Sequence, residues 1–563
     1  MAHATDIDAE VNAAPSRIRR HDRSIASIIP QQHTRFSHMA LRRRSGQARE
    51  RSHSAWTRRR FLGHLGAVGG SSLVMTAMTS WDLMAGQAGV RPLLSGRPSG
   101  VKVLILGAGV SGLVTAYELG KLGYDLRILE ARDRVGGLAW TVRRGTEHTE
   151  IGGERQVCTF DEGQHVNVGA WRIPYTHTGV LNYCKELGVA LQIFLNEADG
   201  SYFYYEGTAA GSLSNARVRL REVKADLIGH TNELLAKAID QRRLDVPLTA
   251  EDQQRLVRYL VAQGYLSSSD RAYKAFVDRG SGTPYELSAL LQSGFGNRLR
   301  SIPARDGTTA APMFHPIGGM DQFAKGFERA IGRTRITFNA DVQSVHQGES
   351  GVKVAYTNTK NGQKTELAAD FVVICMPLSV LAGVDVNMSS DMMQAVRATT
   401  YSNSAKMGLA MKRRFWEEDE QIFGGHLYSN LPLGEFSYPS HDYFSKKGVL
   451  LGLYSNGPIG DLIDRPVRNR VEHVLTHASK VHPQIRQEFE SAYAVWWRKV
   501  KYSLGGFAPG ASPMRRAQFA KVDNRILIGS AAAAPYSEPD WQEGAVAAAW
   551  QAVKSLHERA MRA

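Results

Sequence analysis

Cysteine is nearly absent. Cys158, Cys184 and Cys375 are the only three in 563 residues, with no CxxC pair and no histidines at metal-ligand spacing. A disulfide framework and a zinc site are both excluded as organising features, and no metal is expected. Cys375 closes the apolar run Phe371-Val-Val-Ile-Cys375 and reads as a small buried hydrophobe. A long apolar run is also missing. The modestly apolar stretch 65–84 is broken by glycines and polar residues and carries Asp82, so it makes a poor membrane span and no stable anchor is expected. The net charge of +15 is less than it looks. Residues 1–100 hold 15 arginines, no lysine and six acidic residues, so +9 lies in the head and only +6 is spread over the remaining 463 residues. Nucleic acid is therefore discounted as a partner, and the basic head reads as an address.

At this length two to four structural units are expected. The head ends in Thr57-Arg-Arg-Arg-Phe-Leu62, which resembles a twin-arginine export signal, with Gly86-Gln-Ala88 as a small-residue cleavage site. Export to the periplasm or medium is the expectation, with a mature chain beginning near residue 89. Met39 as the true start would leave a conventional basic n-region. A mitochondrial transit peptide is the rival reading, opposed by Asp6, Asp8 and Glu10, and a disordered basic tail is the plain one.

What is present is a nucleotide signature. The apolar run 101–106 reads as a buried parallel strand. Gly107-Ala108-Gly109-Val-Ser-Gly112 forms a glycine turn, and an amphipathic helix opens inside it. Gly107 permits the turn, Gly109 lets backbone approach a pyrophosphate at the helix N-terminus, and Gly112 lets helix pack on strand. Glu130 ends a second apolar strand 18 residues past Gly112, near the offset at which a carboxylate accepts ribose hydroxyls. Ala131, Arg132, Gly136 and Gly137 follow, and this second glycine pair resembles the FAD signature of flavin amine oxidases.

Elsewhere, 178–189 and 216–242 are helix-like, and Pro247-Leu-Thr249 starts another helix, with Thr249 as N-cap and Asp252 completing an approximate capping box. A helix at 322–331 leads to strands at 335–338, 342–345, 352–357 and 370–375. Strand-like runs at 407–411 and 449–454 indicate a second sheet. An apolar strand at 525–529 and a helix opening at 543 close the chain. The fold class is α/β: a Rossmann-like FAD-binding domain interleaved with an α+β substrate domain carrying a helical insert. Its parts are the extension 1–99, FAD-binding segments 100–165, 313–385 and 512–563, and substrate segments 166–312 (helical) and 386–511.

Five ordered motifs make the resemblance specific. They are 107–137, Gly169-Ala170-Trp171-Arg172-Ile-Pro174, Gly318-Gly-Met-Asp321, Lys406 through Phe415-Trp416, and Trp541-Gln542-Glu-Gly-Ala545. From about residue 100 onward the chain resembles a flavin-dependent L-amino-acid oxidase of the monoamine-oxidase superfamily, of bacterial and snake-venom type. The resemblance implies that Arg172 pairs bidentately with a substrate carboxylate, which a guanidinium suits through two parallel donors. Tyr454 shares that carboxylate, Lys406 stands by the flavin in the oxygen half-reaction, and Trp497 and Trp541 wall the site. FAD contacts extend to Val342, Gly529 and Ser530. Phe507 occupies the place of a flavin-bonded cysteine, so the FAD is expected to be non-covalent. Leu138 and Ser530 stand where the family often has Arg and Glu, and no side-chain general base is assigned. The implied reaction converts an L-amino acid and O2 to 2-oxo acid, ammonia and H2O2, by a homo-oligomer, a dimer. Amine or polyamine oxidase, amino-acid 2-monooxygenase and a non-catalytic flavin-fold binding protein are the alternatives.

Overall fold

The computed structural model describes residues 91–563 apart from 245–247, 276–282, 300–311, 458–459, 536–540 and 563. The expected export signal, the Met39 start, the cleavage site and Pro247 lie outside the described residues.

Strand β1 (Lys102–Leu106) runs into helix α1 (Val110–Lys121) and back through β2 (Asp125–Leu129). Helices α2 (Thr178–Glu186), α3 (Leu220–Asp240) and α4 (Ala250–Ala262) follow. Thr249 caps α4 as expected, its hydroxyl accepting from the Asp252 amide at 3.1 Å. The helix expected from 216 begins at Leu220, because Val218–Arg219 pair as a strand with residues 202–203. Helix α5 (Asp321–Ile331) precedes β3 (Ile336–Thr337) and β4 (Phe371–Ile374). The strand expected at 335–338 is shortened, since Arg333–Arg335 form a 3-10 turn and Asn339 takes φ 60°. Then come β5 (Ala405–Met411), β6 (Glu435–Ser437), β7 (Gly448–Ser455), β8 (Phe489–Trp496), β9 (Ile526–Ile528) and α6 (Gln542–Ala560).

Two sheets frame the molecule. The first is parallel, in the order β3-β2-β1-β4-β9, and gathers strands from widely separated parts of the chain. Period-two alternation divides its faces. Val103 and Ile105 join Leu113, Phe323 and Val553 on one side, whereas Leu104 and Leu106 join Val342, Ile374 and Ile528 on the other. Both faces are covered, so these strands read as continuous apolar runs. The chain leaves β1 for β2 on one flank and returns to β4 on the other. That reversal opens a crevice beyond the carboxyl end of β1, where open α/β sheets bind ligands.

The second sheet runs β8-β5-β7-β6 and continues through three short strands. Its antiparallel register sets Lys406 opposite Tyr454, and Tyr454 opposite Glu435. Directly opposed residues project to one face, so three adjacent strands present a lysine, a tyrosine and a glutamate together. Among the described residues no helix is long and apolar enough to cross a membrane.

Candidate active site

One cavity of about 370 Å3 lies between the glycine turn and the polar row of the second sheet. Its wall includes Gly107, Gly109, Glu130, Ala131, Arg132, Gly136, Gly137, Val342, Ser530 and Gln542 at the nucleotide side. Gly169, Ala170, Trp171, Arg172, Lys406, Tyr454, Trp497 and Trp541 complete it. These residues span more than 400 positions and only the fold joins them. Ala108, Gly112 and Gly529, expected as cofactor contacts, are not on the wall and support it from behind. A Cβ on Gly112 would come within 2.0 Å of the Gly107 carbonyl oxygen, so this residue permits the helix to pack on the turn. Gly529 packs likewise against the Cys375 sulfur.

The glycine turn ends at a helix N-terminus suited to an anion. Gly109 provides no capping side chain, and the first turn of α1 holds no acidic residue. Glu130 is 4% exposed and is fixed by its own backbone: Oε2 accepts from the Ala108 amide at 2.7 Å, and Oε1 from the Arg132 amide at 2.9 Å. Each oxygen keeps acceptor capacity towards the cavity. Arg132 is tied back through Nη2 to the Lys501 carbonyl at 2.7 Å and the Ser503 hydroxyl at 2.9 Å. On the same wall, neither polar atom of the Gln542 side-chain amide has a partner, although both are buried. An amide in that state fits the polar edge of a heterocycle, because an unmatched buried polar group is costly.

The opposite end carries the charged groups. The Arg172 side chain is 12% exposed, with Nη1 3.4 Å from Glu435 Oε2 and 3.5 Å from His426 Nε2. Its guanidinium lies over the Trp171 ring at 4.7 Å and 5.9 Å from that of Trp541. Lys406 is 2% exposed and donates from Nζ to the Gly169 carbonyl at 2.7 Å, 4.1 Å from the Tyr454 ring centre. Burial, then the charge of Arg172, push the Lys406 ammonium well below its ordinary range, and Glu435 opposes them. Trp497 donates from its indole to the Val168 carbonyl at 2.7 Å, and its ring fills the space a Gly169 side chain would need. Trp541 stands at the N-cap of α6 and meets His177 edge-on at 5.3 Å.

Sequence reasoning missed Glu435, Tyr401 and Asp341, which also line the cavity. Glu435 sits on a three-residue strand without a motif, and only its register with Tyr454 brings it in. Cys375, a packing residue by its sequence, also reaches the cavity wall, and burial pushes its thiol up to about 12. Leu138 contributes its carbonyl, which accepts from the Ala170 amide at 3.0 Å.

A glycine-turn crevice facing a buried lysine and a half-buried tyrosine and arginine defines the class. Residues 110–557 match the flavin containing amine oxidoreductase family, and the chain belongs to it. Among curated relatives, it is 25% identical over 427 residues to the L-amino acid oxidase bordonein-L of Crotalus durissus terrificus, covering 72% of this chain and 76% of that one. It is 27% identical over 420 residues to a putative L-amino-acid oxidase of Bacillus subtilis, covering 72% and 84%. In fold it is similar to a putrescine oxidase bound to putrescine (TM-score 0.54, 19% identity, 81% of this chain and 99% of that one). A cyclohexylamine oxidase from Brevibacterium oxydans is alike at TM-score 0.54 and 18% identity, covering 82% and 99%. The family implies a flavin, and the glycine turn, the fixed Glu130 and the unmatched Gln542 fit one.

Proposed function

We propose that this protein is an FAD-dependent L-amino-acid oxidase, converting an L-α-amino acid, O2 and water to 2-oxo acid, ammonia and H2O2. The observation that carries the reading is Arg172: a largely buried guanidinium, stacked on Trp171, on the wall of the cavity. A neutral monoamine has no use for it, whereas a planar carboxylate is matched by its two parallel donors. The L-amino-acid oxidases among its relatives support the same substrate class.

Each residue then has a physical task. Arg172 anchors the carboxylate, with the Tyr454 hydroxyl on the same cavity wall as a second donor. Trp171 and Trp541 exclude water and confine the amino acid between aromatic faces. Lys406, its basicity lowered by burial, is fixed on the cavity wall by its hydrogen bond to Gly169, where it would stand beside the flavin in the oxygen half-reaction. Gly109 and α1 receive the pyrophosphate, Glu130 the ribose, and Gln542 the ring edge. When bound, the flavin supplies the two-electron acceptor and the reaction with O2. Non-covalent attachment is supported by Phe507 on the cavity wall and by the Cys375 thiol, which burial keeps protonated and unreactive. Export through a twin-arginine route belongs to the same proposal and rests on the sequence of the head.

The test is a panel of the twenty L-amino acids with their decarboxylated amines, scored for H2O2 and 2-oxo acid. Peroxide and 2-oxo acid from amino acids alone support the reading. Turnover of amines alone refutes it, and an amide with CO2 as product would mark a monooxygenase.

A further inference from the structure

We propose that His165, His315 and His441 form an acid-operated latch: proton uptake by the three rings releases the loop 438–447 and, with it, Trp171 at the active site. The latch is independent of which amine or amino acid is oxidised. Beside the main cavity lies a chamber of about 30 Å3, with room for little more than a water, lined by these histidines together with Asn167, Ser437 and Trp171. The His165 and His441 rings stack at 4.8 Å with 17° between their planes, and His315 meets His441 at 5.6 Å. His165 is 6% and His315 2% exposed, whereas the His441 side chain, 16% exposed, stands at the mouth. Buried nitrogens on all three, His165 Nε2, His315 Nε2 and His441 Nδ1, have no hydrogen-bond partner. Stacked rings do not converge on a metal, and among the described residues no group of histidines, cysteines and carboxylates is placed to hold one. Protons are what such a cluster can take up.

Burial first, and then positive neighbours, hold the rings neutral: Arg143 beside His165, and for His441 the other two rings and Arg414. The carboxylates nearby are engaged or outside. Asp321 is held by Arg143 at 2.7 Å, and Asp442 lies 4.0 Å from His441 Nε2 on the exposed loop. Asp161, Glu162, Lys446 and Lys447 face the rings from an outer cleft, with Asp161 paired to Lys447 at 2.7 Å, and Tyr438 on the chamber wall is bound to His482 at 2.8 Å. A proton on the cluster is therefore best accommodated by moving His441 out to water. The loop is set to move. Asp442 (φ 52°) and Phe444 (φ 62°) both hold a left-handed backbone that side chains rarely adopt, and Phe444 is 85% exposed. Arg414 donates to the His441 carbonyl at 3.1 Å and Glu417 accepts from the Phe444 amide at 2.9 Å, while the ring stack fastens the loop from within. Release reaches the active site because Ser437 ends β6, and because Trp171, shared by both cavities, packs on Phe194 at 4.9 Å, which meets His315 at 5.7 Å. Opening withdraws support from the ring on which Arg172 lies.

A ring whose folded value lies below its ordinary 6.5 stabilises the closed loop above that value and loses the contribution as pH falls towards the folded one. For His315, which burial and then His165 hold at about 4, the open fraction rises about twentyfold between pH 7 and 5, and the other two rings add to it. Hydrogen–deuterium exchange on the flavin-loaded full chain at the two pH values, corrected for the intrinsic rate, reads this directly. Exchange of 438–447 and of the segment around Trp171 should rise by about twentyfold or more at pH 5 and return to its first value at pH 7. Replacing all three residues, His165→Phe, His315→Phe and His441→Phe, keeps the rings without their proton acceptors and should leave the loop equally protected at both pH values. His441→Gln alone should reduce the response, which covers a failure of the triple variant to fold. No pH response in the wild type overturns the inference, as does a response undiminished in either folded variant, or a loop that opens while the Trp171 segment stays protected. Exchange needs no turnover, so the substrate panel decides the oxidase reading separately.

Discussion

Removing the Arg172 guanidinium should separate amino acids from amines more sharply than any other change in the cavity. In Arg172→Ala the substrate carboxylate loses two charge-assisted hydrogen bonds, each worth about 1.5–3 kcal/mol when little water replaces them. The side chain is 12% exposed, so little water does. The sum, about 3–6 kcal/mol, is roughly a 10^2- to 10^4-fold loss of kcat/KM for amino acids, since about 1.4 kcal/mol is tenfold. The matching decarboxylated amine has no carboxylate to lose and should keep or improve its kcat/KM. Lys406 supplies an independent readout. Arg172 is the second cause of its lowered basicity after burial, so the variant should move the corresponding limb of the pH profile to higher pH. Arg172→Lys should restore only part of the loss, a point charge replacing a fork. Steady-state peroxide assays on the amino acid and amine pair give the result. An equal loss for both substrates, or an unchanged KM for the amino acid, would refute the reasoning.

Other predictions concern the framework. Gly112→Ala, whose Cβ would strike the Gly107 carbonyl, should displace the turn and yield protein that purifies with little flavin, read from its visible absorbance. Arg470→Met should lower stability by about 3–5 kcal/mol by stranding the buried Glu150, whose carboxylate lies 2.8 Å from the guanidinium; chemical denaturation measures it, and simultaneous Glu150→Leu should recover much of the loss. Glu543→Ala leaves the amides of Gly179 and Val180 at the start of α2 without their acceptor, at a cost of about 1–3 kcal/mol each. Glu186, bound first by Arg91, is held at about 2 against an ordinary 4.5. A carboxyl lowered by folding stabilises above its unfolded value and loses that contribution as pH falls through the folded one. Arg91→Ala should therefore weaken the protein above about pH 4.5 and flatten its acid-stability curve between 4.5 and 2; identical curves for the two proteins would count against the pair.

Much of the nucleotide half was legible because its signals are local. Five consecutive residues of β1, a glycine turn and the helix it opens are decided within a few residues of one another, by sterics and period-two burial. The same holds for Thr249 at the start of α4. Errors fell where partners are distant. Val218–Arg219 pair with residues 202–203 and shorten a helix that local pattern extended, and Asn339 stops a strand whose apolar run continued. Glu435 could not be read at all, since nothing near it in the chain marks it.

The sequence by itself determined that a nucleotide fits between β1 and α1, and through short motifs it nominated Arg172, Lys406 and Trp541. Tertiary structure alone decided what those residues are. Glu435 reaches Arg172 across 263 positions, and Gly169 reaches Lys406 across 237. Basicity and contacts follow from burial and from the neighbours that sheet register supplies. Neither is a property of a residue or its spacing, because desolvation and Coulomb energy depend on what surrounds a group in space.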